Sequence, residues 1–143
     1  MNWFPKKKVL VPVDFSDESL EAVDVALSLV DGTTNLHVIH VGPKVVAGDP
    51  GFGWQPLEEL TRRGQIANTM TECVNQPSKR GITKLHVAFG DPGSEIARFA
   101  EENGMELIVI PSHGRSGLAR VWLGSVAERV LRLAHCPVLI LRN

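Results

Sequence analysis

The sequence predicts a doubly wound α/β domain in which a five-stranded parallel sheet carries helices on both faces. Five short runs rich in β-branched residues, each flanked by Gly, Pro or Asp, alternate with segments whose apolar residues recur at helical spacing. The runs are apolar at almost every position, as expected for parallel strands that are covered on both sides. A chain of 143 residues fits one such domain, which we place at 1–143.

The strands are predicted from the β-branched runs and from the breakers around them. They lie at 8–13, 35–41, 84–89, 107–110 and 137–141. The connection at 42–56 contains four glycines and three prolines, which are too many breakers for regular structure. We therefore predict a mobile surface loop there.

Four helices are predicted between the strands. In three of them the apolar residues fall on one helical face, whereas the segment 57–75 is weaker because Gly64 interrupts it. The three apolar sets are Leu20, Val23, Leu27 and Val30; Ile96, Phe99 and Ala100; and Val126, Val130 and Leu133.

Charge and hydropathy exclude several classes of function. Fifteen Lys plus Arg against sixteen Asp plus Glu give a formal net charge of −1, which argues against bulk attraction to nucleic acid or to an anionic membrane. No apolar run approaches the roughly 20 residues that a membrane helix needs, and the first residues lack the pattern of a signal peptide. We expect a cytoplasmic protein with neither nucleic-acid nor membrane partners.

The cysteines and histidines show no metal-site spacing. Cys73 and Cys136 fit no zinc or redox motif, and we expect both to be buried, reduced and inert. His37 and His40 are three apart on a strand and therefore face opposite sides, which excludes a chelating pair. These two, together with His86 and His135, are interpreted as structural.

The loops after the first and fourth strands are where a ligand is expected, because open parallel sheets bind ligands beyond the carboxyl ends of their strands. Asp14 follows the first strand, and Ser16 or Asp17 can cap the next helix. Such caps are common whatever the function, so this pattern alone favours a structural role.

The loop after the fourth strand has the composition of a phosphate site. Gly114 and Gly117 allow tight turns, while Gly124-Ser125 at a helix start offers unpaired N–H groups, the positive dipole end and a hydroxyl. The segment 112–143 adds five arginines against one acid, so the region is locally positive. The alternative is that the glycines only shape a loop and Ser125 only caps the helix.

Several catalytic motifs are absent from the sequence. The glycine loop contains neither GxxxxGK[ST] nor GxGxxG, and the chain has no GxSxG or HExxH motif. Without a P-loop lysine or an acid to position water, the sequence indicates binding rather than turnover. We expect no catalytic residue.

Three segments are especially distinctive: VPVDFS at 11–16, LHVIHV at 36–41 and the segment 112–141. Over essentially its whole length, from 8 to 141, the chain resembles the universal stress protein family, in particular its ATP-binding branch. The family signature is Gly, two residues, Gly, nine residues, then Gly and Ser or Thr. Gly114, nine residues and Gly124-Ser125 fit it, whereas Pro111 replaces the first glycine and removes its N–H. The family fold is the Rossmann-like arrangement predicted above.

This resemblance implies a site for ATP. It assigns Pro12, Val13, Asp14, Val38 and Ile110 to the adenosine, and Gly114, Gly124, Ser125 and Val126 to the phosphates. His113 and Arg115 flank Gly114 and are expected to approach the phosphates, beside Pro111. Mg²⁺ would bridge the phosphate oxygens rather than occupy a metal site built by the protein.

Two functions therefore compete; a third, weaker alternative is a slow ATPase, because the sequence indicates at most slow ATP hydrolysis. One is a cytoplasmic regulatory or stress-response protein that binds an adenine nucleotide, and the other is a dimeric interaction module of the same fold that has lost nucleotide binding, as Pro111 would suggest. In both cases we expect a homodimer through the strand at 137–141, which the resemblance places at the sheet edge. Trp122 and Leu123, before the last helix, are expected to pack against the domain.

Overall fold

The computed structural model describes residues 3–44, 56–75, 81–114 and 122–142. All five predicted strands and all four predicted helices form within it. The strands are β1 (Val9–Pro12), β2 (Leu36–Gly42), β3 (Lys84–Phe89), β4 (Leu107–Pro111) and β5 (Val138–Leu141). The helices are α1 (Asp17–Leu29), α2 (Pro56–Asn75), α3 (Pro92–Glu102) and α4 (Ser125–Leu133), with a 3₁₀ turn at Thr33–Asn35. Most of the loop predicted at 42–56 lies outside the described residues.

The sheet is entirely parallel, with strand order β3-β2-β1-β4-β5. From β1 the chain first adds β2 and β3 on one side, and it then crosses back to add β4 and β5 on the other side. The strand order therefore reverses between β1 and β4. The β1–β4 register contains only the pairs Val9↔Leu107 and Leu10↔Ile108, and the two strands then part. A crevice therefore opens between their carboxyl ends, at the position where doubly wound sheets bind ligands.

The core has one apolar layer on each face of the sheet, because successive strand residues point to opposite sides. Val9 and Val11 of β1 pack with Val23 of α1 and Met70 of α2. Leu10 lies on the opposite face, in the layer that α3 and α4 complete. The double-sided burial predicted from the sequence is confirmed.

Helix starts are capped in different ways. Ser16 caps α1, its hydroxyl accepting a hydrogen bond from Ser19 N at 3.2 Å, which confirms one of the two predicted caps. The N-cap of α4 is Gly124, which has no side chain, and Ser125 is the first helical residue. The interpretation of Ser125 as a cap is therefore wrong, and α4 begins without a side-chain acceptor.

Two predictions about burial are wrong. Cys73 and Cys136 are half-buried rather than buried, although burial still raises the pKa of the Cys136 thiol. Trp122 is 71% exposed instead of packed, and its ring lies 4.9 Å from the guanidinium carbon of Arg142. No helix in the described ranges is long and apolar enough to cross a membrane.

Candidate functional site

A cavity of about 520 Å³ occupies the crevice between β1 and β4. The carboxyl ends of β1, β2 and β4 form its floor, and the first turns of α3 and α4 form walls. Its described lining is Pro12, Val13, Asp14, Ser19, Ile39, His40, Val41, Pro92, Ile96, Ile110, Pro111, Ser112, His113, Gly114, Gly124, Ser125, Val126 and Ala127. Its volume is in the range of pockets for small organic ligands and cofactors.

The β1–α1 connection holds Asp14 in place at the cavity. Asp14 Oδ1 accepts hydrogen bonds from the backbone N–H of Ser16 at 3.0 Å and from the Ser16 hydroxyl at 2.5 Å. Asp14 N lies 3.3 Å from the hydroxyl of Ser19, a buried residue. These bonds fix the carboxylate locally, and its Oδ2 faces the second connection, where a Cβ at Gly114 would lie only 2.5 Å from it.

The β4–α4 connection is closed at its base by backbone contacts. Ser112 N donates to Leu141 O at 2.7 Å, and Gly124 N donates to Ser112 O at 2.6 Å. A Cβ at Gly124 would lie 2.9 Å from the same Ser112 oxygen, a distance that real side chains do not tolerate. Gly114 and Gly124 are therefore needed because the backbone or a carboxylate approaches each of them closely.

The first turn of α4 presents unpaired backbone donors at the cavity. Glu128 N donates to Gly124 O at 2.9 Å, which is the first bond of the helix. The N–H groups of Ser125, Val126 and Ala127 have no hydrogen-bond partner within the described residues. All three residues line the cavity, so its wall combines free donors with the positive end of a helix dipole.

Pro111 is compatible with the fold because of its position in the ladder. Ile108 N donates to the carbonyl of Pro137, the residue before β5, and Ser112 N donates to the last carbonyl of β5. Alternate residues of a parallel strand direct their N–H to opposite neighbours, so the nitrogen of Pro111 faces the β1 side. The β1–β4 pairing ends three residues earlier, at Ile108. The proline therefore removes no bond to β5, and the donor it lacks would have faced the crevice.

Ten of the twelve predicted site residues line the cavity. One exception, Arg115, lies outside the described residues. The other, Val38, is fully buried in the layer under α1 and α2, further from the carboxyl end of β2 than the residues that line the cavity. Its neighbours Ile39, His40 and Val41 line the cavity in its place.

Further lining residues were not predicted from the sequence. Pro92 and Ile96 come from α3, and no sequence motif indicates that this helix lies near the glycine loop. Ser112, just after β4, also lines the cavity, and its Oγ lies 3.2 Å from Nδ1 of the predicted residue His113. No group of three or more His, Cys, Asp or Glu is placed to hold a metal ion in the part of the chain that the structure describes.

The histidines of β2 face opposite sides, as predicted. His40 Nδ1 lies 2.8 Å from the carbonyl oxygen of Val13, on the side of the sheet that carries Val38. His37 lies on the other side, where its Nδ1 is 3.0 Å from His86 Nε2 and its ring lies near that of Phe99. Burial, and then the charge of His86, lower the pKa of His37 to about 4. This pair is not part of the cavity lining.

Comparison with known proteins agrees with the fold. The model of the universal stress protein family matches residues 6–142. The universal stress protein MJ0531 of Methanocaldococcus jannaschii is 38% identical over 96% of this chain and 82% of its own. The universal stress protein YxiE of Bacillus subtilis is 33% identical over 94% of this chain and 98% of its own.

Solved structures show the same architecture. That of MJ0577, a universal stress protein of M. jannaschii, is similar with a TM-score of 0.77 and 27% identity, over 97% of both chains. A universal stress protein crystallised in complex with cAMP is similar with a TM-score of 0.60 and 25% identity, over 96% of this chain and 98% of that one. From the family match, the relatives and the parallel five-stranded fold together, the chain belongs to the universal stress protein family.

Proposed function

We propose that this protein is a cytoplasmic stress-response regulator that binds an adenine nucleotide, ATP in particular, in the cavity between β1 and β4. The observation that carries the proposal is the pairing of two kinds of group in one cavity. Asp14 offers a fixed carboxylate, and the first turn of α4 offers three free N–H donors. A nucleotide has the matching chemistry, hydroxyls at one end and phosphate at the other.

The adenosine fits the apolar end of the cavity and Asp14. Pro12, Val13 and Ile110 provide apolar walls at the ends of β1 and β4. A carboxylate at a strand tip accepts hydrogen bonds from ribose hydroxyls. The related protein in complex with cAMP supports an adenine nucleotide as the class of ligand.

The phosphates fit the first turn of α4. The N–H groups of Ser125, Val126 and Ala127 would donate to phosphate oxygens, and the helix dipole favours the negative charge. Mg²⁺ would bind with the nucleotide, bridging phosphate oxygens and keeping its own waters. These groups bind and orient a nucleotide, which supports sensing rather than rapid phosphoryl transfer.

The test is titration of the purified protein with ATP, ADP, AMP and cAMP, with and without Mg²⁺. We expect calorimetric heat of binding and a rise in melting temperature. Ligand at 100 times its Kd stabilises the fold by about 2.7 kcal/mol, a shift of several degrees for a domain of this size. If no nucleotide gives either signal at millimolar concentration, the alternative of an interaction module without nucleotide binding is favoured instead.

We also propose that the protein forms a homodimer through β5. This strand lies at the edge of the sheet, and its four residues are only half-buried. An open strand edge invites pairing or aggregation, and antiparallel pairing with a second copy satisfies both edges by one two-fold axis.

The ladder shows which proline tests the dimer. Pro137 O accepts from Ile108 of β4, and Leu141 O accepts from Ser112, the residue after β4. By alternation, Leu139 N therefore faces β4 and Ile140 N faces the open edge. We expect Ile140→Pro to give a folded monomer in sedimentation equilibrium at tens of micromolar, and Leu139→Pro to destabilise the domain itself. A monomeric wild type, or a dimer that survives Ile140→Pro, contradicts the proposed interface.

A further inference from the structure

The His40 side chain contacts both neighbours of Asp14 in the sequence, Val13 and Phe15. His40 Nδ1 is 2.8 Å from Val13 O, and the His40 ring stacks on Phe15 with centroids 4.5 Å apart at an angle of 29°. The backbone before Asp14 and the side chain after it are thus both held from β2. Val13 is also anchored by its own N–H, which donates to Ile39 O at 2.8 Å.

Phe15 has an unusual backbone conformation. Its φ is +66°, in the left-handed region, which costs a residue with a Cβ about 1–2 kcal/mol. Such a conformation persists only where the surroundings hold it, and it is found most often at ligand sites. The Phe15 ring stacks on His40 and also packs against the apolar layer under α1 and α2, while the Asp14–Ser16 bonds close the turn.

The contact with Val13 O also identifies the donor atom of the His40 ring. A carbonyl oxygen can only accept, so Nδ1 of His40 carries the proton. An asparagine side chain can offer a donor at a similar position, whereas a phenylalanine offers only the ring. The two contacts of His40 can therefore be removed separately.

We infer that His40 is a positioning residue: it holds the turn at 13–15 so that the Asp14 carboxylate faces the sugar of the bound nucleotide. This inference rests on the proposed function, because the sugar is that of the proposed ligand. It goes further in stating that recognition of the ribose hydroxyls depends on a side chain of β2 that acts through Asp14. The phosphate end, on α4, does not depend on it.

The first experiment examines the protein without ligand, by NMR. In the wild type the HN–Hα coupling and the carbon shifts of Phe15 should report the left-handed conformation. We expect His40→Ala to move these signals and those of Asp14, and to leave Ser125 and Val126 unchanged. If Phe15 and Asp14 keep their wild-type signals in a folded His40→Ala protein, the inference is wrong whether or not any nucleotide binds.

The second experiment measures the Kd of ATP against that of 2′-deoxy-ATP and 3′-deoxy-ATP by calorimetry. A hydrogen bond to a charged group contributes about 1.5–3 kcal/mol, so the wild type should prefer ATP to one of the analogues by about 10-fold or more. His40→Ala should reduce that preference to about 2-fold, with His40→Asn and His40→Phe in between. A merely structural role would weaken all three ligands equally and leave the ratio unchanged.

Two controls separate the inference from the proposed function. In Asp14→Ala the preference should already be lost, and adding His40→Ala should lower it no further, since His40 acts through Asp14. His37→Asn changes the histidine on the other face of β2 and should keep the wild-type preference. If the wild type binds no nucleotide, the proposed function fails while the NMR result still decides the role of His40.

Discussion

The carboxyl edge of the sheet has a closed half, between β2 and β3, and an open half, between β1 and β4. The two halves contain similar residue types but end differently. Between β2 and β3 the ladder continues for six pairs, to Gly42↔Phe89, and the edge is filled. The Phe89 ring packs so close to Gly42 that a Cβ at Gly42 would lie 3.1 Å from it. The guanidinium carbons of Arg62 and Arg63 lie 5.0 and 5.1 Å from the centroid of the same ring. Between β1 and β4 the ladder has two pairs and the edge opens into the cavity.

The difference teaches that topology, rather than residue type, locates the site. Both halves offer glycine, an aromatic ring and histidine at strand ends. The strand order reverses at β1–β4, where β1 leads into α1 on one face of the sheet and β4 into α4 on the other, and such a reversal leaves a crevice between the strand ends. The predictions below test whether the open half binds and whether the closed half serves stability.

The largest effect is expected from Gly124→Val. A Cβ there meets the Ser112 carbonyl oxygen at 2.9 Å, so the base of the β4–α4 connection must move. We expect nucleotide binding to weaken at least 100-fold, and the overpacking to destabilise the domain by about 1–3 kcal/mol. Calorimetry and thermal unfolding measure the two effects.

The matched control for that variant is Gly64→Ala in α2. A Cβ at Gly64 has no neighbour within 4 Å, so the substitution should leave binding unchanged and stabilise the helix by up to about 1 kcal/mol. A folded Gly124→Val protein with wild-type affinity would show that the phosphates do not bind at the start of α4.

Asp14→Asn should have the next largest effect. The amide keeps an oxygen that can accept from Ser16, but it loses the charge that faces the cavity. We expect ATP affinity to fall about 10-fold, the lower end of what a charge-assisted hydrogen bond contributes. The control is Asp17→Asn, in the first turn of α1, which should bind ATP with wild-type affinity. Equal affinity in the two variants would remove Asp14 from the site.

Much of this site could be predicted from the sequence, and the rest depends on register. The strands, the loops after β1 and β4, and the glycines follow from patterns along the chain. The family resemblance assigns Val38 to the adenosine, whereas the structure brings Ile39, His40 and Val41 of β2 to the cavity. Where along β2 the cavity begins depends on the stagger of the strands, which the run LHVIHV does not show. The His37–His86 contact likewise requires the β2–β3 register, which no local pattern contains.

In the closed half, we expect His37 to make stability depend on pH. Its pKa is about 4 in the fold against 6.5 ordinarily, so the unfolded chain takes up the proton first as the pH falls. The stability present above pH 6.5 is lost progressively down to about pH 4. Lys84 and Lys8 add to the cost of a charge there, and the pKa of His86 is lowered as well.

Urea unfolding at several pH values measures this effect. The free energy of unfolding of the wild type should fall more steeply between pH 6.5 and 4 than that of His37→Gln, whose side chain does not titrate. His135→Gln, which removes an exposed histidine 3.3 Å from Glu101, is the control and should keep the steep decline. Parallel curves for the wild type and His37→Gln would mean that the closed half contributes no pH dependence through this residue.

The smallest effect is expected from Pro111→Gly, in the open half. The nitrogen of residue 111 faces the crevice rather than β5, so the glycine would add a donor at the cavity without altering the β4–β5 ladder. One neutral hydrogen bond contributes about 0.5–1.5 kcal/mol, so nucleotide affinity should rise about 2- to 10-fold. The added freedom of the unfolded chain should cost the unliganded protein about 1 kcal/mol of stability. Calorimetry with ATP, alongside thermal unfolding without it, separates the two changes.

Pro111→Ala, which also restores the N–H but with less backbone freedom, should share the gain in affinity. If both variants bind as the wild type, the donor at 111 does not reach the ligand, and the proline is simply part of the apolar wall.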